Sequence, residues 1–217
     1  GRTLVTNDDG INAPGLKAAM KIANELSDDV WIVAPMEEKS GASHSLSLSH
    51  PLRLIKKGAK KYAVTGTPTD CVMFATRHMM RDEPPDLVIS GVNFGQNIAE
   101  DVSYSGTVAG AKEGTVFGIP SVALSQAIRM DGSGKIRFEV GVKHGAKIIR
   151  LGAGQRSCHR NHKNIRRPRG TRCVARPTAE RGASLLFSNN SPARIGVRAS
   201  ASADGRFCNV CSVNPDW

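Results

Sequence analysis

Up to residue 150, apolar and polar positions alternate in blocks that read in turn as strands and helices. Thr3-Leu4-Val5 is a short apolar run and reads as a buried strand. From Pro14 to about Leu26, the residues Leu16, Ala19, Ala23 and Leu26 recur at helical spacing, with Pro tolerated near the first turn. Val30-Trp31-Ile32-Val33-Ala34 is continuously apolar, the mark of a strand covered on both faces, and Pro35 ends it. Residues 42–61 are weakly patterned and read as a hairpin-like insertion, with Leu52–Ile55 a possible strand. There Lys56-Lys57 and Lys60-Lys61 flank a solvated Gly turn. Tyr62–Thr65 reads as a strand, followed by a helix capped at Thr69, with Asp70 in its first turn and Val72, Ala75 and Met79 inward. After the break at Pro84-Pro85, Asp86–Ser90 is a third clear strand. Ser105-Gly106-Thr107 opens a helix of small residues, Ile119–Ser125 is a further strand, and Phe138–Ile149 a last helix.

Strands alternating with helices predict an α/β domain, three-layered and Rossmann-like, with a mostly parallel sheet over residues 1–150. Beyond Leu151 no period of 2 or 3.6 persists, and an irregular basic tail is expected over 151–217. Charge divides at the same place. Residues 1–150 hold 18 Lys and Arg against 16 Asp and Glu, while 151–217 hold 12 against 3, so the net +11 belongs mainly to the tail. Cys71 alone lies in the first part; Cys158, Cys173, Cys208 and Cys211 lie in the second. An odd number of cysteines without a secretory signal argues against a disulfide framework. No apolar run approaches a membrane span, and a soluble cytoplasmic protein is the expectation. The first residue is Gly, so the natural start is expected to be missing or altered.

Candidate chemistry gathers where strands end. Thr6-Asn7-Asp8-Asp9-Gly10 puts two adjacent carboxylates on a strand-to-helix turn, the edge at which open parallel sheets bind ligands. Two close carboxylates repel, and their oxygens suit a hard cation such as Mg²⁺ or Mn²⁺. The alternative is an Asx turn closed by Asp-Gly, with Asn12 capping the helix. Ser40-Gly41, Gly66-Thr67-Pro68 and Ser90-Gly91-Val92-Asn93 fall on the same edge. Ser105-Gly106-Thr107 offers backbone N–H groups at a helix start, an anion cradle or simply a cap. A cation site beside an anion cradle suggests phosphate chemistry. His44 and His50 read as surface or structural, and Lys112 and Glu113 as a solvated helix face.

Together the motifs TNDDG-x-x-APG, the KSG loop, GTPTDCV, SGVNFGQN and YSGTVAGAKEG resemble the SurE (survival protein E) family over about residues 2–150. The resemblance implies a Rossmann-like metal-dependent phosphatase acting on nucleoside 5′- and 3′-monophosphates, with short polyphosphate as a further substrate of some members. It implies one divalent ion, Mn²⁺ or Mg²⁺, on Asp8, Asp9, Ser40 and Asn93, with Asp8 and Asp9 the candidate catalytic residues. Asn97, Ser105, Gly106 and Thr107 would surround the substrate phosphate. It further implies a homodimer or tetramer built through a C-terminal extension. The strand-rich segment and TRQG-like motif of that extension are not recognisable after residue 151, where the composition is what an out-of-frame reading can give. The tail carries the rival reading. Cys158, His159, His162, Cys173 and the Cys208-x-x-Cys211 pair would make a zinc-stabilised nucleic-acid binder, although a single CxxC is a weak signal. Neither GxxxxGK[ST], GxGxxG nor GxSxG occurs, which disfavours a P-loop ATPase, a standard dinucleotide enzyme and a serine hydrolase.

Overall fold

The computed structural model describes residues 1–127 and 138–152 in full, and the backbone of 153–160, 184–187, 197–201 and 207–211. The first strand, β1 (Arg2–Thr6), is central because its side chains are covered from both sides. Leu4 and Val5 point to opposite faces and are both fully buried, one in each of the two main apolar clusters. β1 pairs in parallel with β2 (Asp29–Pro35) on one side and β5 (Leu87–Phe94) on the other. Beyond β2 come β4 (Lys61–Val64), parallel, and then β3 (Leu54–Gly58), antiparallel. Beyond β5 comes β6 (Ser121–Gln126), parallel and buried along its whole length.

The order β3-β4-β2-β1-β5-β6 means that the chain winds outward from β1 in one direction and then returns to wind in the other. The crevice beyond the carboxyl ends of β1 and β5 is therefore the topological switch point, where ligands bind in open α/β sheets. Helices α1 (Pro14–Asn24) and α5 (Glu139–Arg160) cover one face. Helix α2 (Pro68–Phe74), continued by a π-helical turn over Ala75–Met79, covers the other with α4 (Gly106–Val116). A short α3 (Asp101–Tyr104) precedes α4. The three-layer α/β architecture expected from the alternating pattern is thus the one observed. Among the described residues no helix is long and apolar enough to cross a membrane.

Several local expectations are corrected. The cap of α2 is Thr67, not Thr69, because Pro68 occupies the first helical position; Thr67 and Asp70 form a reciprocal capping box. Asn12 does not cap α1, whose N-cap is Ala13 with no side-chain bond. Lys56 and Lys57 lie on β3 rather than in a loop, and Lys61 begins β4. Residues 91–93, expected to follow the strand as a loop, belong to β5 itself. Its register against β6 shifts between Ser90 and Asn93, and Gly91 takes a φ of +132°, open to glycine alone. Helix α5 runs on to Arg160 instead of ending at Ile149. Within the tail, β7 (Ser184–Phe187) and β9 (Phe207–Cys211) pair in parallel with β6, and β8 (Val197–Ala201) pairs antiparallel with β9. The three strands belong to the same sheet, and the remaining tail positions lie outside the described residues.

The seating of α4 decides where the site forms. Gly106, Gly110 and Gly114 recur every four residues and so share one helix face. A Cβ at Gly110 would stand 2.8 Å from Ser90 Oγ and 3.0 Å from Thr6 Cγ2; one at Gly114 would stand 2.8 Å from Val88 Cγ2. The missing side chains let the helix lie directly on β1, β5 and β6, and carry its first turn onto Asp8.

Candidate active site

The Asp8-Asp9 turn is closed by neither aspartate. Asn7 does so, its Nδ2 donating to the carbonyl of Gly10 at 3.0 Å. Both carboxylates are left for other partners, and the Asx-turn alternative is realised by Asn7, two residues before the Asp9 of the expected Asp-Gly turn. Asp8 is buried beneath α4. Its Oδ1 accepts from the hydroxyl of Thr107, and the Thr107 backbone N–H also bonds to the carboxylate. A Cβ on Gly106 would come within 3.0 Å of Asp8 Oδ2, so only glycine allows the helix end to approach this closely. Asp9 is half-buried and accepts from the backbone N–H of Phe94, which ties the turn to the end of β5.

Burial pushes the Asp8 carboxyl above the usual range; the bonds from Thr107 and the backbone oppose this, and nearby Glu38 adds to it. Burial, then repulsion from Asp8 and Glu38, lifts Asp9 from the ordinary 3.8 to about 6. The 37–41 loop reaches the turn through Lys39 N–H, which donates to the Asp8 carbonyl at 2.7 Å. Ser40 Oγ donates to Glu38 Oε1 at 2.7 Å. Asn93, at the end of β5, donates through Nδ2 to the carbonyl of Gly95 at 3.1 Å, leaving its own oxygen outside that bond. Gly95 N–H in turn bonds to the Gln126 carbonyl at 3.0 Å. The turn after β1, the loop after β2, the end of β5 and the start of α4 thus meet at one edge of the sheet.

The start of α4 is less open than its sequence suggests. Ser105 is the N-cap, its hydroxyl accepting from Val108 N–H at 3.2 Å, and Thr107 is turned to Asp8. Asn97 is buried, and its Nδ2 donates to Ser125 Oγ at 2.8 Å at the end of β6. The sequence reading missed Glu38 and the Phe94 N–H. Glu38, two residues before Ser40, was visible as a third acid; the Phe94 bond depends on backbone placement and leaves no mark in the sequence. It also misjudged Glu113, which is buried and paired with His44 rather than solvated.

The carboxylate region holds a surplus of acceptors. Asp8, Asp9 and Glu38 face one another electrostatically, and Asn7 Oδ1 is fully buried without a hydrogen-bond partner. No group of three or more His, Cys, Asp and Glu suited to a metal ion occurs among the described residues, so any hard-cation site here must mix carboxylate, hydroxyl and amide oxygens. Cys158 and His159 fall at the end of α5, and Cys208 and Cys211 on β9. The side chains of these four, with His162 and Cys173, lie outside the described residues.

Fold and site define an α/β domain of the doubly wound class with an acidic pair at its switch point. The family model described as Survival protein SurE matches residues 3–190, and the chain belongs to that family. The match runs past residue 151, beyond the stretch in which the motifs are recognisable by eye. The chain is 62% identical over 149 residues to the 5′-nucleotidase SurE of Azorhizobium caulinodans, covering 69% of this chain and 58% of that protein. It is 59% identical to the protein of the same name from Parvibaculum lavamentivorans over 149 residues, covering 69% of this chain and 54% of the relative. The chain thus spans somewhat over half the length of these relatives. A solved structure of the SurE protein from Aquifex aeolicus is 28% identical with a TM-score of 0.63, covering 99% of this chain and 83% of that one.

Proposed function

We propose that the chain is a metal-dependent phosphomonoesterase that hydrolyses nucleoside 5′- and 3′-monophosphates to nucleoside and phosphate. The observation that carries this reading is the pair of desolvated carboxylates held at the switch point, Asp8 against the start of α4 and Asp9 against the end of β5. Its support from relatives is the name 5′-nucleotidase SurE borne by proteins about 60% identical to this chain.

Asp8, Asp9, Ser40 and Asn93 would hold one divalent ion, Mn²⁺ or Mg²⁺. The residues fit such an ion, because two mutually repelling carboxylates and an acceptor surplus call for positive charge. When bound, the ion supplies Lewis acidity and lowers the pKa of water. The chain's own groups do the rest. The Ser105 hydroxyl, the Gly106 backbone N–H and the Asn97 amide hold the phosphate oxygens as charge develops, while Thr107, beside them, fixes Asp8 through its hydroxyl and N–H. Asp8 or Asp9 accepts the proton of the attacking water. The water oxygen bonds to phosphorus, the ester P–O bond breaks, and the nucleoside oxygen leaves with the proton that the carboxylate took from the water.

The test is a panel of 5′- and 3′-mononucleotides, sugar phosphates and short polyphosphate, each assayed for phosphate release with Mn²⁺ and with Mg²⁺. Mononucleotides should be turned over fastest. Equal rates across the panel would reduce the reading to a generic phosphatase, and no release from any mononucleotide would end it.

A further inference from the structure

One histidine–carboxylate contact, with the carboxylate side buried and the histidine side open to solvent, is not used by the chemistry above. Glu113 lies on α4, two turns beyond Thr107, and is buried. Its Oε2 is 2.7 Å from Nε2 of His44, which belongs to a different part of the chain. A carboxylate withdrawn from water keeps a hydrogen-bond partner, so the bond ties the segment that carries His44 to α4.

That segment is held by side-chain bonds rather than by secondary structure. Residues 41–50 form neither helix nor strand and are mostly exposed. Gly41, next to Ser40, has a φ of +76° and nothing within 4 Å of where a Cβ would stand, so it can act as a hinge. Beyond the hinge the segment is fastened by side chains. Ser43 Oγ donates to the Ser103 carbonyl at 3.1 Å, Thr67 Oγ1 to the Ser45 carbonyl at 2.8 Å, and Ser47 Oγ to Asp70 Oδ2 at 2.7 Å. His44–Glu113 is the tether that leads to α4. Together with Lys39–Asp8 and Asp8–Thr107 it closes a mechanical ring: from Asp8 through the Ser40 loop to His44, across to Glu113, and along α4 back to Asp8.

We infer that Glu113 is a positioning residue that acts through His44 to hold the Ser40 loop in register with the start of α4. The inference rests on the phosphomonoesterase reading, since it gives the ring its purpose: the Ser40 side of the site and the phosphate side move as one body. Glu113→Ala removes the tether. Glu113→Gln keeps an oxygen that accepts from His44 and should rescue. His44→Ala cuts the same link from the other end.

The experiment compares the 217-residue chain and these variants by amide hydrogen exchange, thermal denaturation and steady-state hydrolysis of a 5′-mononucleotide. In Glu113→Ala, exchange at Gly41–Ser47 should quicken about tenfold or more while β1 and β5 stay protected. Its kcat/KM should fall about 10- to 100-fold, as a displacement near 1 Å can cause. In a Ser40→Ala background the same substitution should cost less than about threefold, because coupled residues are not additive. Glu113→Gln should stay within about threefold of the parent, on the view that a neutral oxygen still accepts the bond. Unchanged exchange at Gly41–Ser47 in folded Glu113→Ala and His44→Ala would overturn the inference. So would an equal loss of activity with and without Ser40. If the parent chain releases no phosphate, the functional reading fails, and the exchange data alone then decide whether the clip exists.

Discussion

Asp9→Asn in the metal-free protein should raise stability at neutral pH and not at acid pH. The folded protein lifts the Asp9 carboxyl from 3.8 to about 6, chiefly through burial and then through the charges of Asp8 and Glu38. A carboxyl that holds its proton more tightly when folded favours the folded state below the unfolded value, near pH 4. That advantage fades as pH rises and is gone above about 6. Taken at face value, the shift of about two units amounts to ~3 kcal/mol. Asp9 keeps part of its contact with water, and screening reduces this to about 1–2 kcal/mol. For a chain of this length that corresponds to about 3–6 °C in Tm. The assay is thermal denaturation in excess chelator from pH 4.5 to 7.5. The variant should melt above the parent at pH 7.5, and the gap should close towards pH 4.5. Saturating Mn²⁺ should stabilise the parent more than the variant at pH 7.5. Parallel curves for the two proteins across the range would refute the claim that Asp9 is held in a repulsive, desolvated place.

Gly110→Ala should lower stability by about 1–3 kcal/mol in denaturant titration, since its Cβ would press on Ser90 and Thr6; parent-like stability would show that α4 is not seated this tightly. Asp70→Ala should cost about 2–4 kcal/mol, because Asp70 is buried and accepts from Thr67 N–H at 2.8 Å and Ser47 Oγ at 2.7 Å. Its loss should also quicken hydrogen exchange at Ser45–Ser47, and unchanged protection there would contradict this account of the α2 cap.

How much could be read in advance follows from where each signal resides. The runs at Val30–Ala34 and Leu87–Ser90 are buried on both faces, so apolarity alone marks them as interior parallel strands. Asp8, Ser40 and Asn93 could be placed on one edge because each follows or ends a strand of that sheet. The switch point itself could not, since strand order depends on which strands pair across long separations. Asp70 and Glu113 show the second limit. Both looked like ordinary polar positions on helices, yet both are buried because a loop distant in sequence, 45–47 or 44, folds over them. The glycine spacing at 106, 110 and 114 was legible as a pattern, but its meaning required knowing that β1 and β5 lie beneath it. In the tail, Leu185-Leu186-Phe187 lies on β7, which pairs with β6, yet a run of three apolar residues is too short to show a period in the sequence.

The central claim is that Asp8 and Asp9 form the working centre of a phosphomonoesterase. It is tested most directly by steady-state release of phosphate from a 5′-mononucleotide in Mn²⁺, comparing the parent chain, the parent with excess chelator, and Asp8→Asn. The account predicts turnover by the parent only, with a loss of at least about 100-fold in each of the other two, while Asp8→Asn keeps a cooperative melt. Undiminished turnover in Asp8→Asn or in chelator would contradict it.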